Sequence, residues 1–178
     1  MFNAFKKRRE LKKKARSLYD RAEAQGRLPV FYADLGVPDT VDGRFEMIAL
    51  NCYILMHRLQ ATGDKKLSQK LFDAFFKHMD VSLREMGIGD LGVPKHMKRM
   101  MQGFNGRANH YEEAIKNSNR EELKKALQQN VYGTVDNIQK VHLETMADYV
   151  VRNVEVKNAE EGFVAPKLNQ ELEGKAYA

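Results

Sequence analysis

The residue pattern closest to a known chemical site is Gly87-Ile88-Gly89-Asp90-Leu91-Gly92, a G-x-G-x-x-G run. Such a run cradles a pyrophosphate when a strand leads into it and a helix opens within it, because the first amides of that helix then meet the phosphates. Here a long helical pattern precedes the run and Pro94 opens the next helix, so the glycines read as a helix-to-helix connection with positive φ. Five histidines occur, His57, His78, His96, His110 and His142, and none is spaced from another like a pair of helical metal ligands. His78 and Asp80 fall on different faces of a helix and read as solvated. Cys52 lies among Tyr53, Ile54 and Leu55, where a buried, inert thiol is expected. The carboxylates near glycine turns, Asp39, Asp42, Asp80 and Glu85, admit two readings. They are acid and base groups converging on a pocket, or Asp39 or Asp42 caps a helix and Asp80 pairs with Arg84 four residues on.

The elements that would position these groups are helices. Leu11, Ala15, Leu18 and Ala22 recur at helical spacing, predicting a first helix over residues 6–25 that Gly26 and Pro29 end. The mixed stretch 31–40 contains Gly36, Pro38, Asp39 and Thr40 and reads as a turn leading into a cap. A second helix over 41–61 is apolar on most faces, as a central helix should be. A third, over 65–86, carries Leu67, Leu71, Phe75, Met79, Leu83 and Met86 on one stripe, with Gly87 at its C-terminal end. The fourth starts at Pro94 with Met97, Met101, Phe104, Ala108, Tyr111 and Ile115 inward, Gly103 and Gly106 weakening it or allowing a close crossing. Ser118 and Glu121 form a capping-box pattern for a fifth, with Leu123, Leu127 and Val131 inward. A sixth runs from Gly133 and Thr134 through Ile138, His142, Thr145 and Tyr149; its β-branched end could also form a strand, and helix is preferred. The expected fold is all-α, a single-domain bundle of about six helices with a basic N-terminal helix and a loose C-terminal tail. Its parts are a basic segment 1–16, a helical domain 17–156 and a flexible tail 157–178, whose anchors are Phe163 and Leu168.

With 178 residues, 43% of them hydrophobic, the chain can bury one core. The apolar stretch Phe45 to Met56 is too short to span a bilayer and is interrupted by Glu46 and Asn51. A single cysteine allows no intrachain disulfide and points to a reducing, cytoplasmic compartment. The net charge is +6, but Lys6, Lys7, Arg8, Arg9, Lys12, Lys13, Lys14 and Arg16 face only Glu10 within residues 1–16, giving +7 there and −1 elsewhere. This segment reads as a solvated helix, as a contact to an anionic membrane surface aided by Phe2 and Phe5, or as a contact to ribosomal or other RNA. Of the nine methionines, Met97 and Met101 fit a core stripe and Met100 points elsewhere.

Two long motifs carry a resemblance. They are Phe31-Tyr-Ala-Asp-Leu-Gly-Val-Pro-Asp-Thr-Val-Asp-Gly-Arg-Phe-Glu-Met-Ile and Phe72-Asp-Ala-Phe-Phe-Lys-His-Met-Asp-Val-Ser-Leu-Arg-Glu-Met-Gly-Ile-Gly-Asp-Leu-Gly-Val, followed by Tyr111. Over roughly residues 15–155 the chain resembles the ubiquinol-cytochrome c chaperone family, and its short start is similar to that of bacterial members. The resemblance implies an all-helical, non-enzymatic assembly factor for the cytochrome bc1 complex that receives newly made cytochrome b. In mitochondria such a factor works with a small partner subunit near the ribosomal tunnel exit.

The same resemblance places client contacts on Phe31, Tyr32, Leu35, Val37, Asp39, Asp42, Arg44 and Phe45, and on Asp80, Arg84, Glu85, Gly89, Asp90 and Leu91. Aromatic and leucine side chains would touch client helices while charged ones orient the client or satisfy turns. No cofactor, metal or small-molecule substrate is expected, and the basic helix would hold the protein peripherally at the cytoplasmic face of the inner membrane or at the ribosome. The competing expectation is a helical enzyme acting on an apolar or isoprenoid-like substrate, in which at least two of Asp39, Asp42, Asp80 and Glu85 converge on a deep pocket.

Overall fold

The computed structural model describes residues 2–168, with side chains from Ala4 onward. Within them the chain forms α1 (Phe2–Gly26), α2 (Pro29–Ala33), α3 (Val41–Ala61), α4 (Lys65–Glu85), α5 (Val93–Lys116), α6 (Arg120–Asn130) and α7 (Lys140–Val154). The expected all-α bundle is therefore present as six long helices and one five-residue helix, α2. The α2 region, expected as part of a turn, is helical, and Pro29 starts it because its missing amide and fixed φ suit a first helical turn.

Helix α3 is the centre. It packs against α1, α4 and α7, while α5 joins α4 to α6 and α6 packs on α7. Residues 47–56 of α3 are buried without a break, so its near-uniform apolarity follows from having neighbours on every side. Aromatic rings knit the α3–α4–α5 junction: Phe45 stacks on Phe75 at 5.9 Å, and Phe75 meets Phe104 at 5.4 Å.

The turns correct several sequence-based boundaries. Thr40, rather than Asp39 or Asp42, caps α3, its hydroxyl accepting from the Gly43 amide at 3.1 Å. At α6 the cap is Asn119, whose side chain accepts from the Glu122 amide; Ser118, expected there, sits at positive φ in the preceding turn. Helix α7 begins at Lys140, later than expected, because Asn137 takes positive φ and Gln139 is extended. Its β-branched end stays helical through Val154.

Gly87 closes α4 as expected. Its φ of +85° lets the Ile88 amide donate to the Leu83 carbonyl and its own amide to the Arg84 carbonyl, the paired bonds of a helix stop. The G-x-G-x-x-G run is thus a helix-to-helix turn, with α5 starting at Val93 and Pro94 in its first turn.

Residues 157–168 have no regular secondary structure, but they dock on the body. Ala159 is buried, Phe163 and Leu168 pack against the core, and Arg58 donates to the carbonyls of Glu161 and Gly162. Residues 169–178 of the tail, Gly174 among them, and the Phe2 side chain lie outside the described residues.

Candidate functional site

A groove of about 760 Å³ runs between the start of α3, the C-terminal half of α4, α5 and the α6–α7 turn. Ile48, Met79 and Leu83 are buried beneath it, and Phe45 and Met100 are half-buried in its wall. Val41 and Met86 stand at its edge with exposures of 69% and 63%. Met86 departs from the expected inward stripe because α4 ends at Glu85 and the chain turns at Gly87. Contiguous exposed apolar surface with a charged border marks a place where another apolar body is received.

Besides Arg27–Glu23, the lining holds a second, less exposed ion pair. Arg107 of α5 donates to the Glu46 carboxylate of α3, and the Arg107 guanidinium sits 6.0 Å over the Phe45 ring. Gly103, one turn earlier on α5, leaves the room that Arg107 occupies: a Cβ there would stand 2.6 Å from its Nη1. Burial pushes the Glu46 carboxyl up to about 7, outweighing the opposite pull of Arg107, with Asp42 adding to the rise. The Arg107 Nε–H is buried and has no hydrogen-bond partner among the described residues.

The structure separates the residues of the first family motif. Phe31, Leu35 and Val37, three of the expected client contacts, are buried in the core. Phe31 meets the Tyr149 ring edge-on at 5.2 Å, and the Leu35 carbonyl accepts from the Tyr132 hydroxyl at 3.0 Å. Phe31 thus packs on α7, and Leu35 is tied to the turn that follows α6. Tyr32 is half-buried and donates to the Gly26 carbonyl, and Asp39 pairs with Arg44 at 2.6 Å. Of the expected contacts in this motif, Asp42, Arg44 and Phe45 line the groove.

The second motif supplies His78, Met79, Ser82, Leu83 and Met86 to the groove, while its expected client contacts lie outside the lining. Arg84 pairs with Asp80 at 2.8 Å, as its spacing predicts, and also with Asp90, stapling the turn. Glu85 and Gly89 are exposed, and Leu91 is 99% exposed at the tip. Sequence reasoning missed Val41, Glu46, Ile48 and Arg107 as groove residues. Met100 carried a signal, since it was the methionine off the core stripe, and Arg107 lies seven residues on, along the same side of α5.

Elsewhere, a smaller groove of about 520 Å³ between α3, α4 and α5 holds Tyr53, His57 and Glu112, with His57 Nδ1 2.8 Å from Glu112 Oε2. His78, expected to be solvated, is half-buried, its ring 5.1 Å from that of Tyr19 and its Nε2 3.8 Å from Glu23. Cys52 is fully buried, and burial pushes its thiol up, as expected of an inert group. The basic residues 6–9 and 12–14 are exposed along α1, and Phe5 is 75% exposed. Lys14 reaches Glu160 and Arg16 reaches Asp20, whereas Lys6, Lys7, Arg8, Arg9, Lys12 and Lys13 form no ion pair among the described residues.

The carboxylates of the enzyme reading do not come together. Asp39 and Asp80 are held by Arg44 and Arg84, Glu85 faces solvent, and of the four only Asp42 lines the main groove. Among the described residues no cluster of three or more ligand-type side chains is placed to hold a metal, and no helix is long and apolar enough to cross a membrane.

Comparison with known proteins bears on these features. No curated protein matches the chain significantly. A solved structure of the Cbp3 homolog from Brucella abortus is similar, with 30% sequence identity and a TM-score of 0.76 over 92% of this chain and 96% of that one. The family model for ubiquinol-cytochrome C chaperones matches residues 33–159, which cover the first motif from Ala33, the whole second motif and α3 to α7. The chain belongs to the ubiquinol-cytochrome c chaperone family.

Proposed function

We propose that this protein is an assembly chaperone of the cytochrome bc1 complex that holds newly made cytochrome b by its apolar helices in the groove beside α3. The observation that carries the reading is the apolar lining of the groove, open to solvent at Val41 and Met86. A membrane-spanning client has helices that aggregate when exposed, and a rimmed apolar groove covers one such face while the charged border keeps the chaperone dispersed. Holding requires no bond to be made or broken, which fits the dispersal of Asp39, Asp80 and Glu85 away from the groove. Photo-crosslinkers at Val41, Met86 and Leu91, with Glu113 as a distant control, test the reading in cells. Cytochrome b is captured from the first three positions and not from the control. Efficient crosslinking that never yields cytochrome b overturns it, as does an unchanged amount of assembled bc1 complex after deletion of the gene.

The cations of α1 that form no ion pair among the described residues, together with the exposed Phe5, favour a second element of the same function, attachment to the anionic cytoplasmic face of the inner membrane. Cations near an anionic surface each contribute about 1 kcal/mol, and an aromatic ring adds shallow insertion. The groove would then work where its client enters the bilayer.

A further inference from the structure

The groove contains more than a hydrophobic chaperone surface requires. An apolar occupant covering it would strip water from the Glu46–Arg107 pair, in which the buried Arg107 Nε–H already has no acceptor among the described residues. Closing an apolar surface over an incompletely satisfied ion pair is unfavourable. A basic side chain on the occupant would face the guanidinium, and a neutral amide would satisfy it weakly. A carboxylate matches it, because a guanidinium can present two parallel N–H donors to two oxygens.

We propose that the groove recognises an apolar helix bearing one acidic side chain, and that this carboxylate takes over Arg107 while Glu46 accepts a proton. The inference rests on the groove being the client site and names the chemistry of the client segment. The exchange balances: one proton passes from solvent to Glu46, Arg107 stays charged, and its counter-ion becomes the client carboxylate.

The surroundings of Glu46 favour that exchange. Asp42 and Arg44 stand on its own helix, Arg107 and Tyr111 on α5, His78 on α4, and Glu23 and Arg27 on α1. Arg44 is engaged by Asp39, and Arg27 by Glu23 at 2.8 Å, with His78 beside that pair. Arg107 is therefore the guanidinium that pairs with Glu46. A carboxyl that ionises near neutral pH, as burial makes Glu46 do, gives up its partner at little cost.

Binding of two fluorescent Leu/Ala helical peptides of about 20 residues, identical except for a central Glu or Gln, tests this with the full chain in mild detergent. By anisotropy, the Glu peptide binds wild type at least about tenfold more tightly than the Gln peptide at pH 7. Its affinity falls by up to about tenfold from pH 7 to pH 8, as Glu46 must then be protonated on binding. Glu46→Gln keeps the preference and loses that pH dependence. Arg107→Gln loses the preference, with circular dichroism reporting whether the fold is retained. Equal affinity of wild type for both peptides overturns the acidic-client inference and leaves the groove reading standing. Failure of both peptides to bind overturns both, as does sedimentation showing that the groove is closed by a second copy of the chain.

Discussion

The Arg58 guanidinium donates to both oxygens of Asn153, to the backbone carbonyl at 2.6 Å and to the side chain at 2.8 Å, in the fully buried space between α3 and α7. No carboxylate pairs with Arg58 among the described residues, and burial pulls its pKa down. Asn153 in turn exchanges hydrogen bonds with both backbone groups of Val164, so the pair fastens residues 159–165 to the body. Removing one member leaves buried polar groups unsatisfied. Arg58→Met should lower unfolding free energy by about 3 kcal/mol, measured in urea, and should expose residues 157–168 to protease. In a double-mutant cycle with Asn153→Ala, the two losses should fall short of additivity by about 1 kcal/mol or more.

The turn before α3 is fixed by backbone proximity. A Cβ on Gly43 would lie 2.0 Å from the Pro38 carbonyl oxygen, so Gly43→Ala must displace the 34–40 turn and with it the buried Leu35 and Val37. A loss of about 2–3 kcal/mol is expected, against about 1 kcal/mol for Thr40→Ala, which removes only the cap. Thermal unfolding of the two variants ranks them; equal losses would mean that the turn is pliant.

These two cases show what could be read from sequence and what could not. The stripe Leu67, Leu71, Phe75, Met79 and Leu83 is legible because burial along a helix repeats with the helical period, and all five are buried. The Arg84–Asp80 pair is legible for the same reason. Phe31, Leu35 and Val37 were legible as important and illegible as to role, since an apolar residue beside a glycine turn serves equally well as a client contact or as a wedge into the core. Their burial depends on Tyr132 and Tyr149, about a hundred residues away in sequence. Glu46 and Arg107 were hidden likewise, because their pairing joins two helices whose packing no local pattern specifies.

Glu46 makes stability depend on pH. In the folded chain its carboxyl binds a proton up to about 7, against an ordinary 4.5. Between those values the folded state holds more protons than the unfolded, so stability declines as pH rises through this window and stays lower above it. The decline attributable to Glu46 is on the order of 3 kcal/mol between pH 4.5 and pH 8. Urea unfolding of wild type and Glu46→Gln at both pH values isolates it, with the variant losing correspondingly less stability over the interval.

Leu91 separates function from stability. At 99% exposure it touches little, so Leu91→Ser should change unfolding free energy by no more than about 0.5 kcal/mol. The same variant should lower the amount of assembled bc1 complex in cells if the turn tip seats a client. Normal complex levels with normal protein levels would restrict the contact surface to the groove itself.

The N-terminal half of α1 offers a prediction in which charge and apolar insertion can be told apart. Replacing Lys6, Lys7, Arg8, Arg9, Lys12 and Lys13 by Gln removes cations that have no ion-pair partner among the described residues, so the fold should be unaffected. Co-sedimentation with vesicles containing phosphatidylglycerol should fall by more than tenfold, since each cation near an anionic surface contributes about 1 kcal/mol. Wild-type binding should weaken steeply between low and physiological salt, because exposed charges are screened over about 8 Å. Phe5→Ser should weaken binding less and leave its salt dependence intact, since the ring contributes insertion rather than charge. Should the Gln variant bind these vesicles like wild type but lose co-sedimentation with ribosomes, the basic helix is an RNA contact and the membrane role fails.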